Sequence, residues 1–193
     1  YTWLRSLMGK YVSFEQATDD ALVYTCNHLK LDLDETACAM LCNAYLDLSP
    51  HPEVPAALQR LKNMGLPLAV LSNGSVFSID KVVRNAGLRE HFSNLISVEQ
   101  VGAFKPDPRV YTLACQELGL SPHQILFVSS NAWDVAGAGH FGFTVCWVNR
   151  RNSPLEELDA TPDAMVSGLD ELPELIRAAQ GYCFDPNEPL NER

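Results

Sequence analysis

The sequence predicts an α/β protein, a doubly wound parallel sheet with a small helical subdomain ahead of it. Three observations predict it. Residues 1–48 carry helical periodicity and no strand pattern. From residue 53 to 179, short apolar runs alternate with helical segments, the texture of a parallel sheet flanked by helices. The apolar runs are short and unalternating, as strands buried on both faces are.

In the helical part, Ser13-Phe14-Glu15-Gln16 reads as a capping box, followed by Ala17, Ala21, Leu22, Thr25 and Leu29 at helical spacing. Asp34 caps a further helix with Ala37, Met40, Leu41, Ala44 and Leu48 on its inner face. Ser49-Pro50-His51-Pro52 marks a boundary, because two prolines stop a helix and set an extended link. A helix over 53–64 ends near Gly65, and Leu68-Ala69-Val70-Leu71 is the first buried strand. A helix over 76–86 and a weaker strand over 94–98 follow. A helix over 108–118 ends at Gly119, ahead of the strand Ile125-Leu126-Phe127-Val128. A helix over 133–140 leads into the strand Thr144-Val145-Cys146-Trp147-Val148. Ala164-Met165-Val166 and a helix over 169–179 complete the pattern, and the tail from Gly181 carries two prolines and is expected to fray.

Composition narrows the function classes. Hydrophobic residues make up 47% of the chain and charged residues 20%, which suits a packed core and excludes a disordered chain. A net charge of -10 argues against nucleic acid and against an anionic membrane as partners, and no apolar run is long enough to span a bilayer. A small anionic ligand stays compatible, because a local cation overrides the global field. Six cysteines, at 26, 38, 42, 115, 146 and 183, form no Cys-x-x-Cys, and with so apolar a core they indicate a reducing cytoplasm rather than a disulfide framework. The five histidines share no ligand spacing with them, so no metal site is expected. No signal peptide is visible, and the start at Tyr1 rather than Met suggests a missing N-terminal segment.

Ligands of doubly wound sheets bind outside the carboxyl ends of the strands, so polar residues directly after apolar runs are the candidates. Three places have them. Leu71-Ser72-Asn73-Gly74-Ser75 offers a hydroxyl and an amide beside the amides of a helix start, which is either an anion site or an N-cap with a glycine turn. Phe104-Lys105-Pro106-Asp107-Pro108 holds Lys105 in backbone expected to be extended, as a point charge for a carboxylate or phosphate or as a plain loop lysine. Tyr111, one turn into the next helix, can reach the same place or pack as an ordinary aromatic. Val128-Ser129-Ser130-Asn131-Ala132-Trp133-Asp134 groups small hydrogen-bonding residues around one carboxylate, which can polarise a water or simply face a helix N-terminus.

In this order the three segments resemble the second, third and fourth motifs of the haloacid dehalogenase superfamily, over residues 1 to about 180. Phosphatases of that superfamily usually carry Gly-Asp-x-x-x-Asp at the last position, whose acids help hold Mg²⁺. Here Ser130 replaces the first acid, and one remaining carboxylate is a poor offer to a hard divalent cation. Leu-Ser-Asn-Gly with Ser-Ser-Asn-Ala-Trp-Asp looks like the metal-free 2-haloacid dehalogenases, and the start Tyr-Thr-Trp-Leu-Arg-Ser-Leu-Met looks like that branch's helical cap.

The resemblance implies a Rossmann-like core over 52–180 without its first strand, a partial cap over 1–51, a tail over 181–193 and a homodimer. It implies hydrolysis of short (S)-2-haloacids to (R)-2-hydroxy acids, through an ester on an aspartate in an Asp-x-Tyr-Gly-Thr type loop. That loop, and the family's halide-side arginine ahead of Tyr-Thr-Trp, are not in this sequence, and Arg5 does not match that arginine. The chain as written is therefore expected to be inactive and its neighbouring apolar strands exposed. By the same resemblance Ser72 binds the substrate carboxylate, and Asn73 cradles the halide against Phe14. Lys105 balances the charge of nucleophile and substrate, with Tyr111 holding the network. Ser129, Asn131 and Asp134 position the hydrolytic water, Asp134 being the candidate base, and Trp133 lines the pocket. For Phe14 and Trp133 ordinary core packing explains the residue equally well. No cofactor is implied. Two other classes stay open: a Mg²⁺-dependent phosphatase or phosphonatase of the same superfamily, and a non-catalytic module that binds a small anion.

Overall fold

Ser13 and Asp34 start the two longer helices of the N-terminal part. In the computed structural model, which describes residues 1–181, the Ser13 hydroxyl accepts from Gln16 N at 3.1 Å to open α2 (Phe14–Leu29). The Asp34 carboxylate accepts from Ala37 N at 2.7 Å to open α3 (Glu35–Asn43). Each cap satisfies a donor that a first helical turn leaves free. The box at Ser13 is only half made, since Gln16 Nε2 runs along the helix to Asp20 Oδ1 at 3.0 Å. Asp20 also pairs with Arg5 of the short α1 (Thr2–Leu7) at 2.7 Å.

The inner face expected on α3 is open. Met40 is 70% exposed and Leu48 55%. The helix packs on α2 and on the 3₁₀ turn Ala44–Asp47, and among the described residues nothing covers its apolar stripe. Periodicity finds an apolar stripe but does not say what lies over it.

After the proline link, α4 (Val54–Asn63) leads to five parallel strands: β1 (Ala69–Ser72), β2 (Asn94–Ser97), β3 (Leu126–Ser129), β4 (Thr144–Val148) and β5 (Ala164–Val166). The helices α5 (Val76–Asn85), α6 (Pro108–Leu118) and α7 (Ala132–Phe141) connect the first four, and α8 (Leu172–Gly181) follows the last. Gly119, at a φ of 65° that suits glycine, closes α6 at the expected residue. β1 and β3 each start one residue later than the apolar runs suggest, which makes Ser72 and Ser129 the last strand residues. The final helix begins at Leu172, after a 3₁₀ turn over Leu169–Glu171. The tail from residue 182, with Cys183, lies outside the described residues.

Hydrogen bonding divides the strands into two parallel sheets, β1–β2 and β3–β4–β5. One continuous sheet is what the alternation suggests, and it is interrupted between β1 and β3. Among the described residues each of these strands pairs along one edge, and Ala69 and Leu126 are exposed. β4, paired on both edges, buries Val145 through Val148. Its side chains alternate between two cores, as a strand's must. Val145 and Trp147 pack with Ile96, Tyr111, Val135 and Phe143, while Cys146 and Val148 pack with Leu61, Val166 and Leu172. A third cluster of Val98, Phe104 and Val110 plugs the loop ahead of α6 into the core. Burying a side chain like Phe104 contributes about 1.5–3 kcal/mol, enough to fix the residue that follows it.

Candidate active site

The first and third polar segments leave the carboxyl ends of β1 and β3, the second follows the 3₁₀ turn after β2, and the fold draws them together around Lys105. Lys105 N donates to Asn73 Oδ1 at 2.9 Å, which ties the second segment to the first and leaves Nδ2 as the donor that Asn73 can offer. Lys105 Nζ lies 2.8 Å from Asp134 Oδ2, which ties the second to the third. The lysine is 8% exposed and the aspartate 2%. The Phe127 ring lies beneath the ammonium, 5.3 Å from Nζ, a favourable place for a cation.

The Lys105–Pro106 peptide is cis, and the segment is a turn in which Asp107 N donates to Phe104 O at 3.1 Å. Asp107 then caps α6 through Arg109 N, also donating at 2.9 Å.

Asp134 collects three donors. Besides Lys105, Ser129 Oγ donates to Oδ2 at 3.1 Å and the Tyr111 hydroxyl to Oδ1 at 2.9 Å. A carboxylate offers about four acceptor positions, so one is left for a further donor such as water. Burial first, then the charge and hydrogen bond of Asp134, push the Tyr111 phenol far above its ordinary range, so this hydroxyl stays a donor. Ser129 Oγ also accepts from Asn131 N at 3.2 Å, which shapes the turn into α7.

The remaining candidates stand around this network. Ser72 Oγ accepts from Gly74 N at 3.1 Å. Phe14, Ser72, Asn73 and Gly74 line a cavity of about 370 Å³ whose other walls are mainly apolar, among them Phe77 and Val82. Trp133 is half-buried and packs edge-on against Trp3, ring centres 5.2 Å apart, so it joins the N-terminal helices to this loop. Asn131 heads α7 with an exposed side chain that caps nothing. The helix-start amides expected at the first segment are partly taken. Val76 N donates to Glu99 Oε2 at 2.8 Å and Ser78 N to Ser75 Oγ at 3.0 Å.

Two contributors escaped the sequence reading. A Cβ on Gly137 would sit 2.6 Å from Pro106 Cβ and 2.7 Å from the Tyr111 oxygen, so α7 reaches the Lys105 loop only because this residue is glycine. Its signal was a glycine inside a helix, which costs about 1 kcal/mol against alanine and needs a packing reason. Phe127 had no signal beyond its place in an apolar run.

A parallel α/β protein with a buried lysine–aspartate pair at its strand ends, facing a set of N-terminal helices, defines a class of hydrolases. The family model of the haloacid dehalogenase-like hydrolases matches residues 1–142. An (S)-2-haloacid dehalogenase of Pseudomonas sp. (strain YL) is 57% identical over 94% of this chain and 78% of its own length. Haloacetate dehalogenase H-2 of Moraxella sp. (strain B) is 50% identical over 91% of this chain and 79% of its own. The L-2-haloacid dehalogenase of Xanthobacter autotrophicus, in a structure with chloropropionic acid covalently bound, superposes with a TM-score of 0.85 at 38% identity, covering 92% of this chain and 81% of that one. The chain therefore belongs to the haloacid dehalogenase-like hydrolases, in their (S)-2-haloacid dehalogenase branch.

Proposed function

We propose that the protein hydrolyses the carbon–halogen bond of short (S)-2-haloacids and releases (R)-2-hydroxy acids. The observation that carries the reading is the buried Lys105–Asp134 pair, bonded to Tyr111 and Ser129 and tied through Lys105 N to Asn73. A phosphatase of this superfamily usually carries an acid where this chain has Ser130, and the single carboxylate of Asp134 is a poor offer to a hard divalent cation. The structural relative with covalently bound chloropropionic acid supports a covalent route.

A carboxylate attacks C2 of the substrate, the carbon–halogen bond breaks as the new C–O bond forms, and inversion follows from in-line displacement. Water then attacks the carbonyl carbon of the ester, which frees the hydroxy acid and restores the carboxylate. Asp134 is a poor candidate for the attacking group, since three donors hold it. We place the nucleophilic aspartate on a strand between the open edges of β1 and β3, outside residues 1–193, with a helical cap over 1–51 and the core over 52–180. Asn73 Nδ2 and Phe14 receive the halide and Ser72 the carboxylate. Lys105 offsets the charge of nucleophile and substrate and stabilises the charge that develops. Tyr111 holds Asp134, and Ser129, Asn131 and Asp134 orient the water, with the last acceptor position of Asp134 open to it. Trp133 closes the pocket wall beside Trp3. A homodimer in a reducing cytoplasm completes the proposal.

The test is halide release from (S)- and (R)-2-chloropropionate in EDTA by the natural full-length protein, with residues 1–193 alone as control. Release from the S-isomer by the full-length form alone supports the reading. Release from neither isomer, with Mg²⁺-dependent cleavage of a phosphate ester, overturns it.

A further inference from the structure

We propose that Glu15 is a positioning residue that sets the Phe14 wall against the Ser72–Asn73 loop by accepting hydrogen bonds from the two serines that follow that loop. The proposal rests on the dehalogenase reading for its substrate. Glu15 sits in the first turn of α2, next to Phe14. Its Oε1 accepts from Ser75 Oγ at 2.8 Å and also from Ser78 Oγ. Ser75 is the N-cap of α5 and Ser78 lies one turn in, both buried, with their hydroxyls 3.1 Å apart. One carboxylate oxygen thus joins the N-terminal helices to the segment that begins at Ser72.

Other contacts share this job, since the 3₁₀ turn Ala44–Asp47 packs on α5. Ser6 Oγ accepts from Phe104 N at 2.9 Å, and Asn85 Nδ2 donates to Leu46 O at 2.8 Å. Tyr11 packs on Phe104 and Trp3 on Trp133. Among the described residues no other charged side chain of residues 1–51 hydrogen-bonds the α/β part. Phe14 and Glu15 line the same cavity as Ser72, Asn73 and Gly74, so a shift of α2 moves Phe14 relative to the substrate-binding loop. Burial opposes ionisation of Glu15, but hydrogen bonds from Ser78, its own backbone amide, Ser75 and Ser13 outweigh it and hold the carboxyl below its usual range. The carboxylate also complements the positive end of α5.

Acceptance of the two hydroxyls, rather than charge, is what the geometry requires, and glutamine retains an acceptor oxygen. In the full-length protein, Glu15→Ala is expected to raise KM for (S)-2-chloropropionate about tenfold, the scale of a lost hydrogen bond to a charged group. Glu15→Gln is expected to restore KM to within about threefold of the parent, because its carbonyl accepts from the same serines. Ser78→Ala should raise KM less than Glu15→Ala, and the double variant no more than Glu15→Ala alone. Amide exchange in residues 16–18 and 76–79, read on the same proteins without substrate, should speed up about tenfold in Glu15→Ala and stay near the parent in Glu15→Gln. An unchanged KM and exchange in Glu15→Ala, or Glu15→Gln as impaired as Glu15→Ala, overturns the proposal. If Glu15→Ala does not fold, a Ser78→Ala protein with KM and exchange unchanged from the parent overturns it instead. If the parent releases no halide, the dehalogenase reading fails, and the exchange data still decide whether Glu15 sets α2.

Discussion

The α carbon of Gly137 faces the Tyr111 hydroxyl so closely that a methyl group added there would lie 2.7 Å from the phenolic oxygen and 2.6 Å from Pro106 Cβ. The approach of α7 to the Lys105 loop is what brings Asp134 within reach of Lys105 and Tyr111. Gly137→Ala would gain helix propensity of about 1 kcal/mol, but overpacking costs about 1–3 kcal/mol. Denaturant unfolding is expected to show net destabilisation, and Tyr111→Phe in the same chain should recover part of it by removing one of the two clashing atoms. A Gly137→Ala protein of unchanged or higher stability contradicts this packing account.

Lys105 and Asp134 form a pair with little solvent to replace either partner. Removing one partner of a buried pair typically costs about 3–5 kcal/mol, because the other charge is stranded. Lys105→Met should show a loss of that size by denaturant unfolding, and Lys105→Met with Asp134→Leu a smaller one. Both proteins should release no halide. Equal losses in the single and double variants would mean that the charge left on Asp134 is not what destabilises the first.

Asn131 separates function from stability. Its side chain is exposed and caps nothing, so Asn131→Ala should change stability by no more than about 0.5 kcal/mol. If it orients water for ester hydrolysis, steady-state turnover should fall at least about tenfold while the first equivalent of halide still appears. Full turnover in that variant removes Asn131 from the mechanism.

Cys146, Tyr11 and Tyr111 titrate high. Burial pushes the Cys146 thiol from 9.0 up to about 11. Burial, helped by the charges of Glu99 and Glu15, pushes the Tyr11 phenol from 10.0 up to about 12, and Tyr111 is raised further. A raised acid binds its proton more tightly when folded, so its contribution is full below the unfolded value and is lost as pH rises through the folded one. Stability should therefore fall as pH rises from about 9 to about 12, and Cys146→Val should flatten the first part of that fall. A urea midpoint independent of pH over this range contradicts the shifts.

Helices with a chemical start or stop were legible in the sequence. Ser13, Asp34 and Gly119 sit at the expected ends because a cap or a positive φ is a local requirement. The segments at Ser72 and Ser129 were legible because each leaves the carboxyl end of a parallel strand. What was not legible is long-range. The break between β1 and β3, the exposed face of α3 and the glycine that admits Tyr111 depend on neighbours distant in sequence. Glu15 falls inside the Ser13 capping sequence, yet its carboxylate crosses to Ser75 and Ser78, some sixty residues on. The free amides expected before α5 were partly illusory for the same reason, because Glu99 from the next strand's end takes one of them.

The most direct measurement of the central claim is intact mass in a single turnover, with full-length protein in excess over (S)-2-chloropropionate and the reaction stopped by acid. The account predicts a transient protein species heavier by the dehalogenated propionate group, formed as halide is released, mapping to an aspartate other than Asp134 and decaying to the (R)-hydroxy acid. Complete halide release at every time point without any such adduct would mean that water displaces the halide directly, and the covalent account would be wrong.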